Sequence, residues 1–198
     1  PETPVQPQDL EPLCGRGDAW AQSLGRPLLA QCYRPGSHGR LITAEWFEGS
    51  AGERSWHAKS ALVPFYEQPL WGERPVESGT PGSVFPLDAR RSLVPALCYE
   101  LHAGPQLRQG ILAGGQFIVH MASFTPFARH PVDRWDLGMA QIRAAEHRRP
   151  ILRAANRGAS GWIDALGRPQ QLSERFGAQA SCLDAWSPAL PPTPYARI

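Results

Sequence analysis

The sequence predicts an α/β protein with layered sheets, and three observations carry that expectation. Short apolar runs bounded by Gly and Pro recur along the chain and read as strands. Between them lie segments with helical spacing, and the two kinds interleave instead of segregating. With 198 residues, 42% of them hydrophobic, the chain is long enough for one domain with a sizeable core.

In chain order, Pro1 to Pro7 is held extended by its prolines, and Asp18 to Leu24 reads as a short helix stopped by Gly25. Leu28 to Tyr33 and Leu41 to Phe47 read as strands around the turn-forming loop Pro35-Gly36-Ser37-His38-Gly39. A Pro- and Gly-rich connection from Pro69 to Gly82 leads to strands at Ser83 to Leu87 and Leu93 to Tyr99, with Cys98 at the end of the second. A short helix near Gln106 to Leu112, a strand Phe117 to Ala122 and a polar and aromatic loop Ser123 to Pro131 follow. The clearest helix is Asp133 to Arg148, where Trp135, Met139 and Ile142 recur at helical spacing and Asp133 is the expected cap. Its Arg143 and Glu146 form an i, i+3 charge pair that supports a helix face. Pro150 ends it, Ile151 to Ala155 and Ser160 to Asp164 read as strands, and Leu190 to Ile198 as an extended tail. No internal repeat is present.

A net charge of +2 with scattered arginines argues against a general nucleic-acid binder. No run approaches a membrane span and the opening Pro-Glu-Thr-Pro carries no signal-peptide pattern, so the expectation is a soluble piece, not of necessity the whole gene product. Cys14, Cys32, Cys98 and Cys182 show no C-x-x-C pairing, so neither zinc nor another cofactor is expected. Pairing of Cys14 with Cys32 is open, since spacing does not decide it. Cys14, Cys32 and Cys182 are read as structural, and the six histidines, His57 and His102 among them, as ordinary surface side chains. Of the seven tryptophans, Trp46, Trp56, Trp71 and Trp135 suit an aromatic wall or a lipid interface, with core packing the plainer reading.

Chemistry is expected first at Lys59, the only lysine among twenty Lys plus Arg. Arginine cannot supply a compact ammonium point charge close to a small reacting centre. A nucleophilic thiol needs a base to take its proton or a cation to stabilise the thiolate. Cys98 is the candidate thiol, Lys59 the candidate cation and oxyanion stabiliser, and Glu2 the candidate base, with Glu67 and Glu100 near two of them in sequence. Taken singly, a Cys ending an apolar strand is more often core and a terminal Glu is usually solvated.

Together these residues resemble the carbon–nitrogen hydrolase, or nitrilase, superfamily, whose members use a Glu-Lys-Cys triad. Pro-Glu-Thr-Pro is similar to the segment of the general-base glutamate, here Glu2. The stretch from Lys59 to Glu67 is similar to Lys-x-x-Leu-Val-Pro-Phe-Gly-Glu, and Leu97-Cys98-Tyr99-Glu100 resembles the nucleophile motif Cys-Tyr-Glu. The match continues through Arg143-Ala-Ala-Glu146-His-Arg-Arg149-Pro150, Arg153-Ala-Ala-Asn156-Arg-Gly158 and Thr193-Pro-Tyr-Ala-Arg197. Leu-Val-Pro-Phe, Cys-Tyr-Glu and Thr-Pro-Tyr-Ala-Arg most resemble the apolipoprotein N-acyltransferases.

The resemblance implies a nitrilase-like α-β-β-α sandwich spanning 1–198 as a single domain, lacking its first strand and helix, a soluble fragment of a longer membrane protein. It implies catalytic Glu2, Lys59 and Cys98, with Glu67, Tyr99 and Glu100 supporting them and the Tyr99 N–H as an oxyanion donor. The implied reaction takes an acyl group from a phospholipid as a Cys98 thioester and passes it to the amino-terminal amine of a lipoprotein, at the periplasmic face of the bacterial inner membrane. Two departures stand out: Tyr66 occupies the glycine of Pro-Phe-Gly-Glu, and His120 to Phe127 replaces Asn-Asp-x-Trp-Phe. They keep open the nitrilase-like domain of a plasmid conjugal-transfer membrane protein, a small-substrate amidase, and a degenerate domain kept for interaction.

Overall fold

The computed structural model describes residues 14–49, 54–68, 76–127, 131–173, 190, 191 and 193–197. The expectations placed on Pro1 to Pro7, Glu2, Trp71 and Cys182 lie outside these residues. The chain divides into two compact units, Pro1–Thr80 and Pro81–Ile198.

In the first unit, helix α1 (Gly17–Leu24) ends at Gly25, whose φ of 60° is the left-handed conformation that glycine adopts without a Cβ penalty. Strands β1 (Leu28–Pro35) and β2 (Arg40–Phe47) form an antiparallel hairpin in register Leu28↔Phe47 to Pro35↔Arg40, as the Pro-Gly-Ser-His-Gly loop foretold. On the other side of β2 lie β3 (Trp56–Ala58), antiparallel, and β4 (Val76–Glu77), parallel. Helix α1 is fixed to the hairpin by a Cys14–Cys32 disulfide and by packing of Ala21 against Cys32 and Phe47. The approach is so close that a Cβ on Gly17 would stand 2.4 Å from the Phe47 ring. Gly17→Val is therefore expected to cost about 1–3 kcal/mol by overpacking. Thermal melts against Gly15→Ala, where no atom lies within 4 Å, check this, and equal melting temperatures would refute it.

The second unit holds a six-stranded sheet in the order β10-β9-β8-β7-β6-β5: β5 (Phe85–Pro86), β6 (Ser92–Leu97), β7 (Phe117–Ser123), β8 (Ile151–Asn156), β9 (Gly161–Ile163) and β10 (Pro169–Gln170). β6, β7 and β8 are parallel, joined by crossovers carrying α2 (Gly104–Leu112) and α3 (Val132–His147). The centres of β6 and β7 are buried at consecutive positions, the pattern of strands covered on both faces. Pro95 is tolerated within β6 because its nitrogen faces the β5 side, where the two-residue β5 has already ended. Val94, Ile118 and Ile151 share one rung and pack with Leu101, Leu107, Ile111, Ala140 and Ala144 into the core beneath the helices.

Several expectations change here. The strand expected over Leu93 to Tyr99 stops at Leu97, and Cys98 instead opens a 3-10 turn, Cys98–Leu101. Helix α3 is capped by Pro131, not Asp133, which is buried in the first turn. Its Trp135, 69% exposed, and Ile142, 51% exposed, mark the outer side, whereas Asp133, Asp136, Ala140, Ala144 and His147 form the buried one. The tail is not extended throughout: Pro194–Arg197 forms a 3-10 turn, Tyr195 lies against the His147 ring, and Thr193 donates to the Glu146 carbonyl. Of the expected aromatic wall, Trp46 is core, while Trp56 and Trp135 are exposed.

Candidate active site

In the first unit, β3 delivers Lys59 directly after Ala58, where the Lys59 N–H donates to the Ile42 carbonyl at 2.7 Å and continues the ladder. The side chain is 1% exposed, and its Nζ donates to both Glu67 oxygens at 2.7 and 2.6 Å. A buried ammonium is tolerable only with such a partner. Glu67 is returned to it by a tight turn, in which the Glu67 N–H donates to the Val63 carbonyl at 2.9 Å and the Val63 N–H to Glu67 Oε2 at 2.7 Å. The left-handed residue of this turn is Phe65, at φ 63°, and not Tyr66. Tyr66, at the position of the motif's glycine, lies outside the left-handed region and is 59% exposed, and the Lys59–Glu67 pair is intact beside it.

In the second unit, Cys98 has a φ of 49°, a conformation that costs a residue with a Cβ about 1–3 kcal/mol. It stands where β6 breaks sharply into the 3-10 turn and carries a half-buried thiol. A strained strand-to-helix turn presents a nucleophile's side chain at the end of a sheet. The turn is held from three sides. The buried Glu100 carboxylate accepts the Leu97 N–H at 2.8 Å, Arg143 donates from Nε to the Leu101 carbonyl at 3.0 Å, and its Nη2 donates to the His102 carbonyl at 2.9 Å. Arg143 also keeps the expected pair with Glu146 at 2.6 Å. The Tyr99 ring stacks on His102, centroids 5.5 Å apart.

Beneath the turn lies a buried polar network that the sequence reading missed. His120 on β7 and Arg153 on β8 share a rung with Ala96 on β6. His120 Nε2 lies 3.1 Å from the Cys98 carbonyl, and its Nδ1 lies 2.9 Å from Arg153 Nη1. Arg153 also pairs with Asp136 Oδ2 and donates from Nε to the Ala159 carbonyl at 2.9 Å, and Asp136 Oδ1 lies 2.9 Å from His102 Nε2. Burial pushes His120 down to about 4, with Arg153 adding to the effect and Asp136 opposing it. Burial acts to raise Asp136, but His120, His102 and Arg153 outweigh it and hold the carboxyl at about 2. The surface reading of the histidines fails, since His57, His120 and His147 are buried. The available signal was a His inside the apolar run Phe-Ile-Val-His-Met-Ala and an Arg inside Ile-Leu-Arg-Ala-Ala, because polar groups at such positions require buried partners.

Of the expected site residues, the structure thus joins Lys59 to Glu67, and it gathers Cys98, Tyr99 and Glu100 on one turn; Glu2 lies outside the described residues. Among the described residues no group of three or more His, Cys, Asp or Glu side chains is disposed to hold a metal.

No family model matches the sequence. The chain is 30% identical over 194 residues to an apolipoprotein N-acyltransferase of Pasteurella multocida, a match covering 87% of this chain and 37% of that protein. It spans between 16% and 37% of the length of the first curated relatives it matches, all apolipoprotein N-acyltransferases. Its fold is similar to that of a mutant amidase from Nesterenkonia sp. with acrylamide added at the active-site cysteine, at a TM-score of 0.61 and 19% identity, covering 86% of this chain and 67% of that one. It is likewise similar to a carbon–nitrogen hydrolase from Helicobacter pylori, at a TM-score of 0.68 and 14% identity, covering 85% and 65%. These likenesses bear out the nitrilase-like fold class. The fold is therefore nitrilase-like, and the sequence is similar over most of its length to a part of the apolipoprotein N-acyltransferases.

Proposed function

We propose that the chain serves acyl transfer through a Cys98 thioester, with a phospholipid as acyl donor and the amino-terminal amine of a lipoprotein as acceptor. The observation that carries this reading is the left-handed Cys98 turn at the end of β6, in a chain whose sequence relatives are apolipoprotein N-acyltransferases. In the first half-reaction Glu2 takes the thiol proton as sulfur bonds to the acyl carbon. The ester C–O bond then breaks, and the lysophospholipid alcohol leaves with that proton. In the second half the amine adds to the thioester carbon and gives a proton to Glu2, the C–S bond breaks, and the proton returns to sulfur. Lys59, held by Glu67, and the Tyr99 N–H stabilise the oxyanion of each tetrahedral intermediate, while Glu100 holds the turn. On this reading the protein works at the periplasmic face of the bacterial inner membrane, although among the described residues no helix is long and apolar enough to cross one.

The test is intact-protein mass spectrometry in detergent after incubation with phosphatidylethanolamine vesicles. An acyl-sized, hydroxylamine-labile mass increase is expected in the native protein and none in Cys98→Ala. An amidase reading is favoured by the fold likeness to the Nesterenkonia amidase, with water replacing the amine. Turnover of a small amide without any phospholipid adduct would move the assignment there.

A further inference from the structure

A guanidinium cannot give up its protons and only donates hydrogen bonds. With Arg153 Nη1 at 2.9 Å, His120 Nδ1 must therefore be the accepting nitrogen, and the single ring proton resides on Nε2, which donates to the Cys98 carbonyl at 3.1 Å. Arg153 is in turn fixed by Asp136 and by the Ala159 carbonyl, and Asp136 by His102. All three of His120, Arg153 and Asp136 are buried, so the tautomer is set by groups with no freedom to turn away.

The bond from His120 has a geometric consequence on the far side of the peptide. The Cys98–Tyr99 peptide is planar and trans, since no cis bond occurs among the described residues, so its carbonyl and its N–H point in opposite directions. Pinning the Cys98 carbonyl to the imidazole beneath the turn aims the Tyr99 N–H away from that network, on the side opposite His120. A buried ion pair is a poor source of stability against an apolar substitute of the same volume. Its presence here, ending on the carbonyl of the candidate nucleophile, is accounted for by orientation.

We propose that His120, its tautomer set by Arg153 and Asp136, is a positioning residue that holds the Cys98–Tyr99 peptide so that the Tyr99 N–H serves as an oxyanion donor. The inference rests on Cys98 being the nucleophile and adds a group that acts through it without touching substrate.

Two reagents at Cys98 separate this role from a merely structural one. p-Nitrophenyl butyrate acylates the thiolate through a tetrahedral oxyanion, with the ester C–O bond breaking and p-nitrophenolate leaving. Iodoacetamide alkylates it by displacing iodide and forms no oxyanion. His120→Phe, which removes the donor and keeps a ring, is expected to slow acylation about a hundredfold, the effect of losing one oxyanion donor. Its peptide-mapped alkylation at Cys98 should keep the native rate. His120→Gln, whose amide can donate to the same carbonyl, should recover most of the acylation. Equal slowing of both reagents, or no slowing of either, would overturn the positioning role while leaving Cys98 as nucleophile. Absence of a butyryl mass at Cys98 in the native protein would instead overturn the nucleophile reading and this inference with it. Nitrogen NMR of the histidines in the native protein gives a check that needs no variant to fold: a proton on His120 Nε2 is expected, and one on Nδ1 would refute the proposal.

Discussion

Lys59→Met is expected to destabilise the protein by roughly 3–5 kcal/mol, because breaking a buried pair from one side leaves the other charge uncompensated. The ammonium is 1% exposed and both Glu67 oxygens face it, so its loss leaves the carboxylate with the Val63 N–H. The Glu67 side chain keeps slight solvent contact, which favours the lower end of the range. The double variant Lys59→Met with Glu67→Leu should recover most of the loss, since two apolar groups of similar shape desolvate no charge. Urea denaturation of the four proteins gives the coupling energy directly, and a value near zero would show that the pair is not a unit. Lys59→Arg separates charge from shape. It keeps the positive charge but puts a planar fork in place of a point donor, so loss of the Cys98 adduct in a variant that still unfolds cooperatively would assign the ammonium to the chemistry.

What the sequence discloses and what it hides divide along one physical line. Local signals survive folding. The Pro-Gly-Ser-His-Gly loop, the left-handed stop at Gly25 and the alternation of apolar runs placed α1, β1, β2 and the parallel strands within a residue or two. The motif around Lys59 marks Glu67, eight residues on, as a supporting residue, and the structure pairs the two side chains. Long-range signals do not survive in the same way. Helix α3 turns its apolar Trp135 and Ile142 outward and buries Asp136 and His147, because its inner side meets Arg153 and the docked tail as well as the aliphatic core. Periodicity assigns Trp135, Met139 and Ile142 to one face, and of the three only Met139 packs against the core. The rung Ala96–His120–Arg153 exists only through the register of three parallel strands, which no spacing within one strand can reveal. Cys98 was legible as chemistry but not as geometry: a Cys closing an apolar strand looks extended, and only its φ of 49° shows the turn.

Lowering the pH from 7 to 5 is expected to weaken the fold steeply, and His147 supplies half of the reason. Burial pushes this imidazole down to about 4, with Arg143, Arg149 and Arg108 adding to the effect and Glu146 opposing it. His120 is likewise depressed to about 4. Both stay neutral in the folded protein through a range in which the unfolded chain, with histidines near 6.5, takes up protons. The unfolded state then binds more protons than the folded one, so stability rises with pH across this window. It is complete above about pH 6.5, falls by up to about 1.4 kcal/mol per pH unit for each histidine, and levels off for these groups below about pH 4. Carboxylates held below their usual range, Asp136 among them, add their own loss at still lower pH and leave the interval from 7 to 5 to the histidines. Neither ring nitrogen of His147 has a hydrogen-bond partner among the described residues, so its burial carries a desolvation cost at every pH. His147→Phe is thus expected to raise stability at pH 7 by about 1–3 kcal/mol and to remove about half of the slope between pH 7 and 5. Denaturant midpoints of both proteins across that interval decide the matter, and an unchanged slope in His147→Phe would mean that this ring is already charged in the fold.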